Sequence, residues 1–276
     1  MGRVTARRPV QRITLSGIIN RPDTLAVEEP MEIRIGGSSV VVTMRTPGND
    51  IDLVHGFLLT EGIISSREDV AEIRYCDGVD NDGANTYNVL DVTLSESAQP
   101  IALAARNFLA SAACGVCGKE SLADVRKRSA FDVGAAELTV DASSLAGMTA
   151  TLRRNQRAFE TTGGLHAAGL FSADGALLVL REDVGRHNAV DKVLGWAASE
   201  NRIPASDLVL IVSGRASFEL VQKAVMAGIP MLGAVSAPSS LAVDLATDAG
   251  LTLVGFLRGD TMNVYARADR IKLEAS

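Results

Sequence analysis

Two cysteines with two residues between them, Cys114 and Cys117, are the first candidates for chemistry in this sequence. This spacing puts two sulfur atoms within reach of each other, and the neighbouring glycines keep the backbone accessible. If a helix starts just after the pair, its unpaired N–H groups favour a thiolate. The motif fits dithiol redox chemistry, half of a zinc site or a nucleophilic sulfur carrier, and two incidental cysteines on a surface loop are the alternative. Because a structural zinc site needs four ligands and no second pair of this spacing exists, we predict no metal site.

Two histidines are further candidates. His166 stands among small apolar residues, a setting typical of a hydrogen-bonded core histidine as well as of a catalytic one. His187 belongs to the charged run Glu182–Asn188, which follows an apolar segment. Such a run forms either a solvated turn or a polar site with shifted pKa values at the mouth of a sheet. The sequence leaves both alternatives open.

Three polar segments follow apolar runs of strand length. Ser213–Ser217 precedes a helix-like segment, Ser236–Ser240 repeats the arrangement 23 positions later, and Phe256–Thr261 follows the last run. At the carboxyl ends of parallel strands the N–H groups of helices bind phosphate, and Arg215 is placed to neutralise its charge. N-capping by the serines explains the first two segments without a ligand. Three such segments at one edge of a sheet nevertheless favour a bound anion.

The second half of the chain is predicted to be an α/β layer structure that positions these segments. Strands alternate there with helices, a pattern that gives right-handed crossovers and a parallel sheet. A hairpin of Leu165–Phe171 and Ala176–Arg181 is predicted at the edge, which makes the sheet mixed. One helix is predicted over Ala142–Glu160. The alternating elements are Leu208–Val212, Ser217–Ala227, Met231–Val235, Ser239–Ala249 and Leu251–Phe256.

The first half of the chain is predicted to be β-rich. Two glycines separate two β-branched runs and indicate a hairpin, and Asp50 is placed to cap a helix. An apolar stretch over Ile101–Ala113 leads into the two cysteines. The predicted elements are the strands Met31–Ile35, Ser39–Met44 and Tyr87–Leu94 and the helices Ile51–Gly62 and Lys119–Arg128. We divide the chain into a basic flexible tail (1–12), a β-rich N-terminal subdomain (13–135) and an α/β subdomain (136–276), an α+β protein overall.

The composition excludes several classes of protein. The chain has 27 Lys and Arg against 33 Asp and Glu, a net charge of -6, whereas nucleic-acid binding needs a basic surface. With 47% hydrophobic residues, it has enough apolar area to fold. Three cysteines exclude a disulfide scaffold, and no apolar run is long enough to cross a bilayer. We therefore predict a cytoplasmic protein. A zinc nucleoside deaminase is excluded as well, because its H-x-E and P-C-x-x-C motifs are absent.

Five motifs occur in a characteristic order along the chain. They are Cys114-Gly-Val-Cys117-Gly, Thr162-Gly-Gly-Leu-His166-Ala-Ala, Glu182-Asp-Val-Gly-Arg-His187, Ser213-Gly-Arg-Ala-Ser217 and Leu253-Val-Gly-Phe256. The ordered set resembles the FdhD family, the formate dehydrogenase accessory sulfurtransferases. The resemblance extends from about Glu29 to Ala268.

This resemblance implies a sulfur carrier for molybdoenzyme maturation. Such a protein accepts sulfur from a cysteine desulfurase as a persulfide, on Cys114, with Cys117 as an assisting thiol. It passes the sulfur to molybdenum held by two molybdopterin guanine dinucleotides, the bound substrate, which formate dehydrogenase requires. GDP or GMP is the expected partial mimic of that cofactor. The resemblance also implies a cytidine deaminase-like α/β subdomain without zinc, and a homodimer.

The residues assigned to cofactor binding combine the polar segments with the family's cofactor-binding stretch. They are His166, His187, Ser213, Gly214, Arg215, Ser217, Phe256, Leu257, Arg258, Gly259, Asp260 and Thr261. Some relatives carry a third cysteine where this chain has Gly164-Leu165, so a third sulfur relay is not expected here. A cofactor-binding chaperone whose cysteines serve docking or redox sensing is the main alternative, and a dithiol oxidoreductase is another.

Overall fold

The computed structural model describes residues 3–76, 87–96, 98 and 129–273. These residues form fourteen strands in four sheets, and six α-helices. The strands are β1 Thr5–Thr14, β2 Gly17–Ala26, β3 Glu29–Ile35, β4 Ser38–Arg45, β5 Val70–Tyr75, β6 Val89–Leu94, β7 Val140–Asp141, β8 His166–Ser172, β9 Leu177–Asp183, β10 Leu208–Val212, β11 Met231–Ala234, β12 Thr252–Arg258, β13 Thr261–Ala266 and β14 Ile271–Lys272. The α-helices are α1 Asp50–Thr60, α2 Ala142–Asn155, α3 Arg157–Thr162, α4 Arg186–Ser199, α5 Phe218–Met226 and α6 Ser240–Ala249.

The N-terminal sheet has four strands in the order β4-β3-β6-β5. β3 and β4 form the predicted hairpin. At its turn, Gly36 and Gly37 have φ angles of 55° and 81°, which glycine adopts without steric cost. Met31, Ile33 and Leu90 are fully buried in a core that includes residues of α1. The β-rich character predicted for this half is confirmed in the described residues.

The start of α1 differs from the prediction that Asp50 caps it. The N-cap residue is Asn49, at a φ of 55°, and Asp50 is the first helical residue. The buried guanidinium of Arg45 donates to both carboxylate oxygens of Asp50, from Nε over 3.1 Å and from Nη2 over 3.2 Å. The capping prediction is therefore wrong, because this carboxylate compensates a buried arginine, whose charge is costly to leave unpaired.

The second sheet has six strands in the order β13-β12-β11-β10-β8-β9. β10, β11 and β12 are parallel, whereas β8, β9 and β13 pair antiparallel with their neighbours. α5 and α6 connect the parallel strands. The β8–β9 hairpin lies at one edge of the sheet. These observations confirm a mixed sheet with parallel strand–helix units; the likeness to cytidine deaminases and the subdomain boundaries stay predictions.

Helices cover both faces of the six-stranded sheet. On one face, Leu145, Met148 and Leu152 of α2 share a core with Val209 and Ile211 of β10. On the other face, α4, α5 and α6 pack, and their core continues into α1 and the N-terminal sheet. The two sheets are thus joined by one hydrophobic core. No helix among the described residues is long and apolar enough to cross a membrane.

α1 and α4 approach each other closely through two glycines. A Cβ atom added to Gly56 would lie 1.8 Å from the carbonyl oxygen of Asp191, and one added to Gly195 would lie 1.8 Å from that of Asp52. Only glycine fits at both positions. This contact fixes α4, whose first turn carries His187, against the N-terminal part of the chain.

The first twelve residues differ from the predicted flexible tail. β1 pairs with β2 over ten residues, from Thr5 opposite Ala26 to Thr14 opposite Gly17. The arginines in this segment suggested a solvated tail. They are interspersed with β-branched residues, however, and an exposed hairpin tolerates charged side chains on both faces. The partner strand also lies beyond the boundary that we placed at residue 12.

The predicted helix over Ala142–Glu160 is two helices. α2 ends at Asn155, Gln156 leaves the helical conformation, and α3 begins at Arg157. The carboxylate of Glu182 accepts hydrogen bonds from the N–H groups of Ala158 and Phe159, at 2.9 and 2.7 Å. It thereby provides an acceptor for N–H groups in the first turn of α3, which have no partner within the helix. The stretch Ile101–Ala113 and the helix Lys119–Arg128 lie outside the described residues.

Candidate functional site

A pocket of about 690 Å³ lies at the edge of the six-stranded sheet where β10, β11 and β12 end and β8 begins. Because β8 runs antiparallel to β10, its first residue lies beside the carboxyl end of β10. This edge is where parallel sheets present ligand-binding groups. α2 and α3 form the opposite wall. The lining residues are Thr149, Ala150, Leu152, Arg153, Gln156, Phe159, Gly163, Gly164, Leu165, His166, Ser213, Val235, Leu257, Arg258 and Gly259.

His166 and the loop after β10 form the floor of this pocket. The N–H of Ala167 donates to Ser213 Oγ over 2.9 Å, and the N–H of Ser213 donates to the carbonyl of Ala167 over 3.0 Å. A Cβ atom on Gly214 would lie 3.5 Å from His166 Nδ1, so the loop passes directly over the imidazole. Burial and the positive charge of Arg186 lower the pKa of His166. The ring is therefore neutral at pH 7 and presents one donor and one acceptor.

The segment Phe256–Thr261 enters the pocket only in part. Phe256 has a φ of 51°, a strained value for a bulky residue, and the pairing of β12 with β13 shifts register there. This bulge buries Leu257 completely and turns Arg258 outward to the pocket, with its guanidinium 5.9 Å from the Phe256 ring centre. Leu257, Arg258 and Gly259 line the pocket, whereas Phe256, Asp260 and Thr261 do not.

α2 and α3 contribute a wall of the pocket that was not predicted from the sequence. Arg153 is exposed at the pocket, and its guanidinium lies 4.7 Å from the ring centre of Phe159. Gln156, at the break between the helices, is only 3% exposed and lines the pocket. Its side-chain amide makes no hydrogen bond to another described residue. No local sequence pattern predicted this wall, because the break between α2 and α3 depends on Glu182, which is distant in the sequence.

Two arginines, an aromatic ring, a buried amide and a neutral histidine thus surround one cavity. Guanidinium groups bind phosphate oxygens, and an arginine-backed aromatic ring accepts a flat heterocycle by stacking. The volume suits a ligand of nucleotide size. Groups of these types can together bind an anionic, aromatic ligand.

His187 and Ser217 lie in the helical layer and not among the lining residues. His187 Nε2 is 3.9 Å from Glu219 Oε2, and burial, followed by the charges of Lys223 and Arg186, lowers the pKa of His187 to about 4. Ser217 is the N-cap residue of α5 and its side chain lies beside Glu219. Both residues are near the carboxyl edge of the sheet but turned away from the pocket.

Arg215 lies in the same loop as Ser213, but it is exposed and is not one of the lining residues. From the assigned set, the structure therefore brings together five residues that line the pocket: His166, Ser213, Leu257, Arg258 and Gly259. Gly214 lies against the imidazole of His166. The assignment of phosphate neutralisation to Arg215 stays a prediction, and the arginines that line the pocket are Arg153 and Arg258.

The charged run before α4 has structural contacts. Asp183 is fully buried, pairs with Lys192 over 2.7 Å and accepts the N–H of Thr46 over 3.1 Å. Lys192 also donates to the carbonyl of Thr46 over 2.8 Å. These bonds tie the end of β9 to the N-terminal sheet. The acidic residues of the run therefore stabilise the junction and the start of α3.

Cys114 and Cys117 lie outside the described residues. Within the described ranges, no three His, Cys, Asp or Glu side chains are grouped so as to hold a metal ion.

The fold and the pocket define a class: an α+β protein with a β-rich N-terminal sheet and a mixed α/β sheet, with a pocket at the carboxyl edge of the mixed sheet. A model of the FdhD/NarQ family matches residues 26–272, and the chain belongs to that family. The resemblance drawn from the five motifs is thereby confirmed.

Relatives and a solved structure agree with this assignment. The chain is 66% identical to a protein of Nocardia farcinica named sulfur carrier protein FdhD, over 98% of this chain and 96% of that protein. It is 62% identical to the protein of that name from Mycolicibacterium paratuberculosis, over 97% and 99%. The crystal structure of a candidate formate dehydrogenase accessory protein from Desulfotalea psychrophila has the same fold, with a TM-score of 0.76 at 23% identity, covering 98% of this chain and 100% of that one.

Proposed function

We propose that this chain is a cytoplasmic sulfur carrier that serves formate dehydrogenase. It takes sulfur from a cysteine desulfurase on Cys114 and delivers it to molybdenum held by two molybdopterin guanine dinucleotides. The observation that carries the proposal is the near full-length match to relatives named sulfur carrier protein FdhD. The pocket supports the cofactor part of the proposal, and a homodimer is part of it.

The first chemical step is persulfide exchange on Cys114. Its thiolate attacks the outer sulfur of the desulfurase persulfide, and the desulfurase cysteine leaves as a thiolate. Once the cofactor is bound, attack of the Cys117 thiol on the inner sulfur of the Cys114 persulfide forms a disulfide and releases hydrosulfide for molybdenum. An external dithiol reduces that disulfide for the next cycle. Glycines beside both cysteines leave the sulfurs accessible to a donor protein.

The pocket binds one guanine nucleotide end of the cofactor in this proposal. A volume of about 690 Å³ suits one nucleotide and not the complete two-pterin cofactor. Arg258 and Arg153 face the pyrophosphate, and Phe159 stacks on the base. Neutral His166 presents a hydrogen-bonding group without adding charge. The pterin and the metal then lie outside the pocket mouth, where a sulfur donor can reach them.

The pocket assignment is tested by GDP titration of wild type, Arg258→Ala and Arg215→Ala. Loss of a charge-assisted hydrogen bond costs about 1.5–3 kcal/mol, so Arg258→Ala should weaken GDP binding by about 10- to 100-fold. Arg215→Ala is the matched control, because this arginine follows another strand of the same sheet, β10, but does not line the pocket. Equal GDP affinities for wild type and Arg258→Ala contradict the assignment.

The cysteine chemistry is tested separately by complementation. A cell that lacks this protein should regain formate dehydrogenase activity with wild type and not with Cys114→Ala. Full activity with Cys114→Ala would instead make the protein a cofactor-binding chaperone. Turnover of protein disulfides without GDP affinity would identify a dithiol oxidoreductase.

A further inference from the structure

The β1–β2 hairpin, Thr5–Ala26, is an arm that extends from the body of the protein. Ten paired residues at about 3.4 Å each give it a length of about 34 Å. It contacts the body mainly at its base, where β2 packs against α3. Most of its residues are exposed on both faces. A two-stranded hairpin without a covering layer is at best marginally stable in water, so its own pairing does not account for a formed arm.

The tip of the arm is apolar. Ile13, Leu15, Ile18 and Ile19 surround the turn, and their side chains are 53% to 111% exposed. Such a group of large exposed apolar side chains marks an interaction site. Behind the tip, Arg12 and Arg21 follow on the two strands.

The outer edges of β1 and β2 are poorly suited to pairing with a strand of another molecule. Pro9 lies opposite Pro22 in the pairing of β1 with β2. Proline lacks an N–H, so both residues interrupt the outer edges of the hairpin near its middle, a feature that protects edge strands. The faces and the apolar tip, and not the edges, are therefore the surfaces available for contact.

The charge of the arm is opposite to that of the rest of the chain. The arm contains four arginines and one aspartate, a net charge of +3, whereas the whole chain carries -6, so the remaining residues carry -9. Among the described residues, Arg7 and Arg12 form no ion pair. The body also has exposed apolar and acidic side chains: Leu241 and Asp244 are exposed on α6, and Tyr265 is exposed on β13, the strand that α6 contacts.

We propose that the arm grips a second copy of this chain, with each copy's arm lying on the acidic body of the other. The inference rests on the homodimer of the proposed function and names the element that forms it. An arrangement in which the same arm and the same body surface are used twice closes with two-fold symmetry. Because α3, at the base of the arm, is also a wall of the pocket, the dimer contact would hold that wall in place.

The test is the molar mass in solution by light scattering and sedimentation. Wild type should have twice the chain mass of 29.0 kDa, and Ile13→Asp/Ile18→Asp should have 29.0 kDa. Two such substitutions at the centre of an interface should raise the dimer dissociation constant at least about 100-fold. Arg12→Glu/Arg21→Glu should weaken the dimer as well, and raised salt should weaken wild type. Leu273→Asp is the control, because it places the same charge on an exposed apolar residue outside the arm.

The outcomes distinguish failure of the arm contact from failure of the homodimer itself. If wild type and Ile13→Asp/Ile18→Asp are both dimers, the arm is not the contact and the inference is overturned, while the homodimer stands. If wild type is a monomer at micromolar concentration, the homodimer and the arm contact are both wrong. GDP titration of the same samples reports separately on the pocket, and the near-ultraviolet circular dichroism of the variants reports whether the body has folded.

Discussion

His187 should make the stability of this protein depend on pH above the range in which carboxylates titrate. Burial, followed by the charges of Lys223 and Arg186, lowers the pKa of His187 from 6.5 to about 4. Between these two pH values the unfolded chain binds a proton at this residue that the folded protein does not bind. The stabilising contribution is therefore fully present above pH 6.5 and is lost as the pH falls towards 4.

The expected magnitude follows from the two pKa values. At pH 5 the unfolded imidazole is almost fully protonated and the folded one is almost fully neutral, so the loss relative to pH 8 is about 2 kcal/mol. Burial lowers the pKa of His55 and of His166 as well, so wild type loses more than this in total. The difference between wild type and His187→Gln isolates the contribution of His187.

Urea unfolding of both proteins at pH 8, 7, 6 and 5 measures this difference. The free energy of unfolding of wild type should fall between pH 8 and pH 5 by about 2 kcal/mol more than that of His187→Gln. His187→Gln keeps a polar side chain in the first turn of α4 and removes the titration. Two parallel curves would refute the reasoning, because they would mean that the imidazole is equally easy to protonate in the folded and unfolded protein.

Two further predictions concern the contact between α1 and α4 and the wall of the pocket. Gly195→Ala should lower the free energy of unfolding by about 1–3 kcal/mol, because the added Cβ would meet the backbone of α1. Gly147→Ala, on the open face of α2, is the control and should raise the free energy of unfolding by up to about 1 kcal/mol. Equal effects of the two substitutions in thermal or urea unfolding would contradict the close contact between α1 and α4. Glu182→Ala removes the acceptor for the first N–H groups of α3 and should cost about 1–2 kcal/mol and weaken GDP binding through Phe159; unchanged GDP affinity would mean that α3 keeps its place without this carboxylate.

The α/β half could be predicted closely from the sequence. The strand Leu208–Val212 has the predicted bounds, because a parallel strand buried on both faces is a continuous apolar run. The β8–β9 hairpin at the sheet edge was predictable because a turn signal, Asp174-Gly175, separates its two strands. In such segments the local sequence and the tertiary environment require the same conformation.

Features that depend on distant partners could not be predicted. The break at Gln156 depends on Glu182, which lies 26 residues later. The strand β1 depends on its pairing with β2, which lies beyond the residues that were predicted to form a tail. The candidate site shows the same limit. The strand ends correctly placed Ser213 and Phe256–Thr261 at one edge, but His166 was not predicted from strand ends to lie there, and the bulge at Phe256 determines that Arg258 reaches the pocket.

The central claim, that Cys114 carries the sulfur, is tested most directly by intact-protein mass spectrometry. Wild type, Cys114→Ala and Cys117→Ala are incubated with a cysteine desulfurase and cysteine, and each mass is measured before and after treatment with a thiol reductant. We expect a reducible gain of one sulfur atom on wild type and on Cys117→Ala, and no gain on Cys114→Ala. A wild-type protein that gains no sulfur while a known acceptor in the same reaction is loaded would contradict a sulfur-carrying role for Cys114.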